Sequence, residues 1–239
     1  MDGLSIRRRI ALDIARSMRK SQEEEHPLRQ LFWECTLRCN LRCQHCGSDC
    51  KQVAATPDMP KEDFFKVLDS IAAKTDPHKV FVIISGGEPT MRADLEECGK
   101  GIYSRGFPWG MVTNGFGMTA ERFSRLLGAG LHSMTVSLDG LEENHDWLRG
   151  REGSFTRAAE TIRMAVRSGI AFDVVTCVNR RNYPQLPQLK EFLIGLGLKE
   201  WRLFSIFPQG RAALNPDLQL PPEMFRGMLD FIKETRKEG

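Results

Sequence analysis

Lys79-Val80-Phe81-Val82-Ile83-Ile84-Ser85-Gly86-Gly87-Glu88-Pro89 is the stretch that decides the fold. Val80 to Ile84 are all apolar and mostly β-branched, and a glycine pair stops the run. Residues 79–85 thus read as a strand buried on both faces, which belongs in a parallel sheet covered by helices. Similar units flank it. Residues 31–36, 107–113, 131–138, 170–178 and 200–207 read as further strands. Helices are expected from Pro60 onward, with Phe64, Val67, Leu68 and Ile71 on one face, and over residues 94–104. Others run from a Thr119 cap to Leu127, from a Ser154 cap to Ser168 with Gly169 as the stop, and near residues 184–196. Pro221-Pro222 opens the last, with Met224, Phe225, Met228, Leu229 and Ile232 on its buried side. Six strand–helix units predict an α/β fold, a partial (β/α)6 TIM-like barrel with right-handed crossovers.

The chain has 239 residues, 41% of them hydrophobic, with 34 Lys+Arg against 31 Asp+Glu for a formal net charge of +3. That balance excludes disorder and the one-signed basic face of a nucleic-acid binder. No apolar run approaches the ~18 residues of a membrane span, and Arg7, Arg8, Arg9 and Arg16 break up any signal-peptide core, so a cytoplasmic protein is expected. Ile6, Ile10, Ile14 and Met18 recur every fourth residue between basic residues, ahead of Glu23-Glu24-Glu25 and Pro27. They predict an amphipathic helix within residues 1–28 that packs outside the barrel of residues 29–239; a membrane-surface helix is the alternative.

Five of the seven cysteines, Cys35, Cys39, Cys43, Cys46 and Cys50, lie within sixteen positions, and only Cys98 and Cys177 lie elsewhere. A disulfide framework spreads its cysteines along a secreted chain, so this cluster reads as a metal or redox site. Cys39, Cys43 and Cys46 form CxxxCxxC, spaced to curl three thiolates around one compact iron–sulfur cube. Three ligands leave one metal with open coordination, which makes a reaction centre rather than an electron wire. Zinc held by Cys43, Cys46 and two neighbours is the competing reading. Cys35, Cys98 and Cys177 read as small buried hydrophobes, and the role of Cys50 stays open.

Cys39-Asn40-Leu41-Arg42-Cys43-Gln44-His45-Cys46 after the first strand, then Gly86-Gly87-Glu88-Pro89 after the second, resembles the radical S-adenosylmethionine (radical SAM) superfamily across roughly residues 30–210. The resemblance implies that Cys39, Cys43 and Cys46 hold a [4Fe-4S] cluster whose fourth iron binds S-adenosylmethionine (SAM). His45 stands where the family has an aromatic residue near the adenine. Gly86, Gly87 and Glu88 correspond to the contact with the SAM amino group, the glycines keeping side chains out of its way, with Pro89 fixing the turn. Ser137 matches a ribose or carboxylate contact, and Arg149 the arginine that receives the SAM carboxylate. Residues 207–211 are expected to approach the adenine. Asp139 is either a site residue or a turn former with Gly140. The implied reaction is reductive cleavage of SAM to methionine and a 5′-deoxyadenosyl radical, which takes a hydrogen atom from a substrate. No protein acid–base pair is named for it.

Ser137-Leu138-Asp139-Gly140, His145-Asp146-Trp147-Leu148-Arg149-Gly150 and Pro208-Gln209-Gly210-Arg211-Ala212 are most similar to the branch of peptide, protein and cofactor maturases. That implies a peptide or protein substrate and a one-electron donor such as flavodoxin or ferredoxin. Members of the branch usually continue into a cysteine-rich domain with auxiliary clusters. No cysteine follows Cys177 here, so that domain is read as absent or truncated. An iron–sulfur electron-transfer or zinc protein without SAM chemistry is the alternative from another class.

Overall fold

The computed structural model describes residues 5–238. Six strands, β1 (Gln30–Glu34), β2 (Phe81–Ser85), β3 (Trp109–Thr113), β4 (Leu131–Ser137), β5 (Ala171–Val178) and β6 (Trp201–Ser205), form one sheet in sequence order. Every neighbouring pair is parallel, from Trp33 opposite Ile84 to Val175 opposite Arg202. The crossovers carry helices α2 (Lys61–Ala72), α3 (Leu95–Tyr103), α4 (Ala120–Gly128), α5 (Glu142–Arg149), α6 (Ser154–Ser168) and α7 (Leu186–Gly195). β1 and β6 are not paired, so the barrel is partial, as expected.

The strands are not equally buried on their two faces. Val82, Ile84, Met134 and Val136 point at the helices and are fully enclosed. Phe81, Ile83, Thr135 and Ser133 are only half-buried. They share a parity with Ser85 and Ser137, which line a cleft at the strand ends, so their face looks into the open interior. The densest packing lies on the helix side, where Trp109, Phe107, Leu68, Leu95, Ile102 and Leu126 are fully buried.

Three local expectations need correction. The first helix forms (α1, Ile6–Glu25), but Ile6, Ile10, Ile14 and Met18 are all more than half exposed, so its apolar stripe is not packed on the barrel. In the last helix (α8, Pro222–Glu238) only Met228 is buried, with Phe231 and Ile232 beside it against Val178 and Leu186. Phe225 and Leu229 stay exposed, because α8 packs through a narrower stripe than its apolar residues cover. Ser154 is the first residue of α6 rather than its cap. Asp146, one turn before the end of α5, accepts hydrogen bonds from the Gly153 and Phe155 amides and the Ser154 hydroxyl at 2.6–2.8 Å. Helix α5 itself, eight mostly polar residues ended by Gly150 at φ 66°, is not anticipated by the apolar pattern.

Candidate functional site

The cysteine loop follows β1 and is closed at its base, where the Cys39 amide donates to the Lys51 carbonyl at 2.8 Å. It is held from two distant elements. Gln44 donates through its amide to the Leu148 carbonyl and through its side chain to the Trp147 carbonyl, both at 2.8 Å, which ties the loop to α5. Arg211, in the short helical turn Gly210–Leu214 after β6, clamps the other side. Its Nε donates to the Cys43 carbonyl at 2.7 Å and its Nη1 to the Cys50 carbonyl at 2.9 Å and Asp49 Oδ1 at 2.7 Å. Its amide takes the Cys46 carbonyl at 3.0 Å. Gly210, at φ 56°, has to be a glycine, since a Cβ there would stand 2.4 Å from the Gly47 carbonyl oxygen.

Arg211 is therefore a clamp on the loop that also borders the cleft, and Phe207 is 77% exposed. Within residues 207–211, Arg211 thus holds the cysteine loop as well as bordering the cleft. Arg211→Ala is expected to leave the fold intact and to cut iron retained after anaerobic reconstitution and gel filtration several-fold, with Arg211→Lys intermediate because one ammonium cannot span the three acceptors of the guanidinium.

Cys39, Cys43 and Cys46 converge on a cleft of about 260 Å³, and Cys50 joins them. His45, Gly86, Gly87, Glu88, Ser137 and Arg149 line the same cleft, so most of the residues singled out in the sequence meet there. Asp139 and Phe207 are not in its wall, nor is Pro89, which opens the 3-10 turn Pro89–Met91. The glycines also have a reason within the chain itself. A Cβ on Gly86 would stand 2.3 Å from the Thr36 carbonyl oxygen, and one on Gly87 2.3 Å from that of Arg38. The missing side chains let the end of β2 pair with the root of the cysteine loop, through Gly87 N to Thr36 O at 2.7 Å and Glu88 N to Arg38 O at 2.9 Å.

Glu88 is buried and its carboxylate is fully engaged. Oε1 accepts from Thr90 and from the Thr113 hydroxyl at 2.7 Å, and Oε2 from the Asn114 amide at 2.7 Å. It straps the end of β2 to the end of β3. Asn114, not among the site residues chosen from the sequence, reaches Asn40 Oδ1 at 2.8 Å and lies 3.9 Å from Cys39 Sγ. Its place directly after the third strand was the available signal.

Beneath the cysteines lies a buried polar group. Asp139 is fully enclosed, and its Oδ2 sits 2.6 Å from Arg149 Nε while its Oδ1 accepts the Cys177 amide at 2.7 Å. Asp139 is thus an ion-pair partner, and the Gly140 turn is not its main role. Arg149 Nη1 also lies 3.7 Å from Cys43 Sγ. Burial pushes the thiol of Cys39 up to about 12 and that of Cys43 upward too, with Arg149 pulling Cys43 back. Metal binding must then release protons from these thiols, and the guanidinium favours the thiolate that results. The donor set fits an iron–sulfur cluster: soft sulfur ligands, an adjacent cation, and the one carboxylate in the cleft wall already saturated. His45, Asp139 and Cys177 also offer ligand atoms within 4.8 Å of one another, but Arg149 already neutralises Asp139, so this group is an ion pair and not a cation site.

His145 faces the same pair. Its Nδ1 accepts the Asp139 amide at 3.0 Å, and burial, reinforced by Arg149, lowers its pKa to about 4. The unfolded chain therefore binds a proton near pH 6.5 that the folded protein refuses until about pH 4. Stability falls as the pH drops through that window, by roughly 3 kcal/mol at its lower end. Burial lowers the pKa of His45 to about 4 as well, so urea midpoints between pH 7 and 4.5 should show the slope of both rings, and His145→Asn should reduce it by about half.

Residues 33–193 match the radical SAM superfamily, and the chain belongs to it. A [4Fe-4S] cluster and SAM are accordingly its cofactors, and the zinc and electron-transfer readings are not favoured. Among curated relatives, the chain is 28% identical over 225 residues to an AdoMet-dependent heme synthase of Oleidesulfovibrio alaskensis, covering 93% of this chain and 57% of that one. It is 31% identical over 210 residues to an Fe-coproporphyrin III synthase of Methanosarcina barkeri, covering 87% and 51%. The chain thus spans little more than half the length of these relatives. Streptococcus suis SuiB, solved with its precursor peptide SuiA, shares the fold with a TM-score of 0.69 at 16% identity, over 98% of this chain and 53% of that one. No helix among the described residues is long and apolar enough to cross a membrane.

Proposed function

We propose that this protein cleaves SAM reductively and uses the resulting radical to remove a hydrogen atom during maturation of a cofactor precursor or a peptide. The observation that carries this reading is the convergence of the three CxxxCxxC thiols with Gly86, Gly87, Ser137 and Arg149 on one cleft. Cys39, Cys43 and Cys46 hold the cluster, and the bound pair of cofactors supplies one-electron cleavage of the sulfonium to a 5′-deoxyadenosyl radical. Arg149 uses Nε on Asp139, and its Nη edge faces the cleft to receive a carboxylate bidentately. Ser137 closes the end of β4 as a hydroxyl contact, His45 offers a neutral planar ring to the adenine, and the backbone of Gly86, Gly87 and Glu88 borders the amino group.

The maturation role is supported by relatives named for haem synthesis and by a structural neighbour solved with a precursor peptide. A small one-electron carrier of the flavodoxin or ferredoxin class supplies the reductant. The test is anaerobic reconstitution to about four irons per chain, followed by dithionite and SAM. 5′-Deoxyadenosine should form slowly without substrate. A cluster-loaded protein that yields none, or a colourless protein with stoichiometric zinc, would overturn the reading.

A further inference from the structure

Cys50 has no part in a three-ligand cluster, yet it is 5% exposed and its thiol lines the cleft beside the other three. It packs in the same buried cluster as Cys39, Cys43 and Leu41, with Cys46 against them. Arg211 draws the two residues together, its amide donating to the Cys46 carbonyl at 3.0 Å and its Nη1 to the Cys50 carbonyl at 2.9 Å, and both residues line the cleft. The surrounding backbone holds it there. Arg211 takes the Cys50 carbonyl, and Asp49 just before it adopts φ 47°, in the left-handed region. Cys46 is the more exposed member of the pair.

We infer that Cys46 and Cys50 form a reversible dithiol–disulfide pair, in which Cys50 rescues the ligand Cys46 when oxidation strips the cluster. The inference rests on the reading of Cys46 as a cluster ligand. The chemistry balances with a peroxide as oxidant. Cys46 thiolate attacks one peroxide oxygen, giving a sulfenic acid and, after proton uptake, one water. The Cys50 thiol then attacks that sulfur, forming the Cys46–Cys50 bond and releasing a second water. Two electrons leave the two thiols, and the peroxide is reduced to two waters. A dithiol reductant reverses the bond by exchange, whereas Cys46 without a resolving partner continues to sulfinic acid, which such reductants do not recover.

The experiment starts from the cluster-loaded full chain, whose iron content and brown absorbance are recorded first and report separately on the cluster reading. Hydrogen peroxide is added, released iron is chelated, free thiols are alkylated under denaturing conditions, and peptides are mapped by mass. The expected product is a Cys46–Cys50 link, about 2 Da lighter than the dithiol. After dithiothreitol and fresh iron and sulfide, wild type should regain its iron, while Cys50→Ser should regain about five-fold less and carry Cys46 as sulfinic acid. Iron loading of Cys50→Ser before oxidation checks that the variant folds, and the wild-type map stands without it. Cys46 linked instead to Cys39 or Cys43, Cys46 overoxidised beside a free Cys50, or equal recovery in Cys50→Ser would each overturn the inference.

Discussion

Replacing Cys39, Cys43 or Cys46 by alanine is expected to take bound iron from about four per chain to near zero after anaerobic reconstitution. The effect is all-or-none because the cube needs three corners held at once. Two thiolates leave two irons open to solvent, and Glu88 cannot take the vacated corner because it already accepts from Thr90, Thr113 and Asn114. Cys50 is the remaining thiol of the cleft wall, so each variant is also made with Cys50→Ser. Iron and sulfide assays with the visible spectrum provide the measurement. Cys98→Ala and Cys177→Ala serve as controls that keep the iron. Cys98 is fully buried on the core side of α3, so its loss costs about 1 kcal/mol of stability and nothing at the cleft. A cluster that survives intact in Cys43→Ala would remove the three-thiol assignment.

Arg149→Ala is expected to have the second largest effect, and the structure changes how it has to be tested. From the sequence alone the arginine is a carboxylate receptor, and its removal should weaken SAM binding while sparing the cluster. In the fold it also neutralises Asp139, which is fully enclosed. Removing one member of a buried ion pair leaves an uncompensated charge and costs about 3–5 kcal/mol. Arg149→Ala should therefore lower the thermal midpoint sharply as well as the SAM affinity. The double variant Asp139→Asn, Arg149→Met separates the two, because it removes both charges together. It should recover most of the stability and none of the affinity, read by thermal unfolding and by equilibrium SAM binding to the loaded protein. Full SAM affinity in the stable double variant would take Arg149 out of the binding role.

Much of the architecture is legible in the sequence because parallel strands enclosed by helices leave a local mark. Val80 to Ile84 and the glycines after them show it most clearly, and six such units were found in the correct order. The strand ends were less well placed. Residues 79 and 80, read as strand, belong to the 3-10 turn Pro77–Lys79 and its exit, where the Asp76 carboxylate caps the His78 amide. Helix α5 escaped notice because eight polar residues carry no apolar stripe, even though its last residue, Arg149, was chosen for its chemistry. The outward stripes of α1 and α8 show the converse. Periodicity reports that a helix is amphipathic, and it does not report whether anything covers the apolar side.

The sequence by itself determined the alternation of strand and helix, the three-cysteine spacing and the order in which the two motifs meet the strand ends. Each of these depends on residues within a few positions of one another, where backbone preference and side-chain period act directly. Only the tertiary structure decided that Arg211 grips carbonyls of a loop more than 160 positions earlier, that Gly86 and Gly87 make room for backbone, and that Asp139 neutralises Arg149 beneath the thiols. Those contacts join segments whose separation along the chain carries no local signature. They exist because the parallel sheet brings the C-terminal ends of all six strands to one side, where buried charges and carbonyls have to find partners.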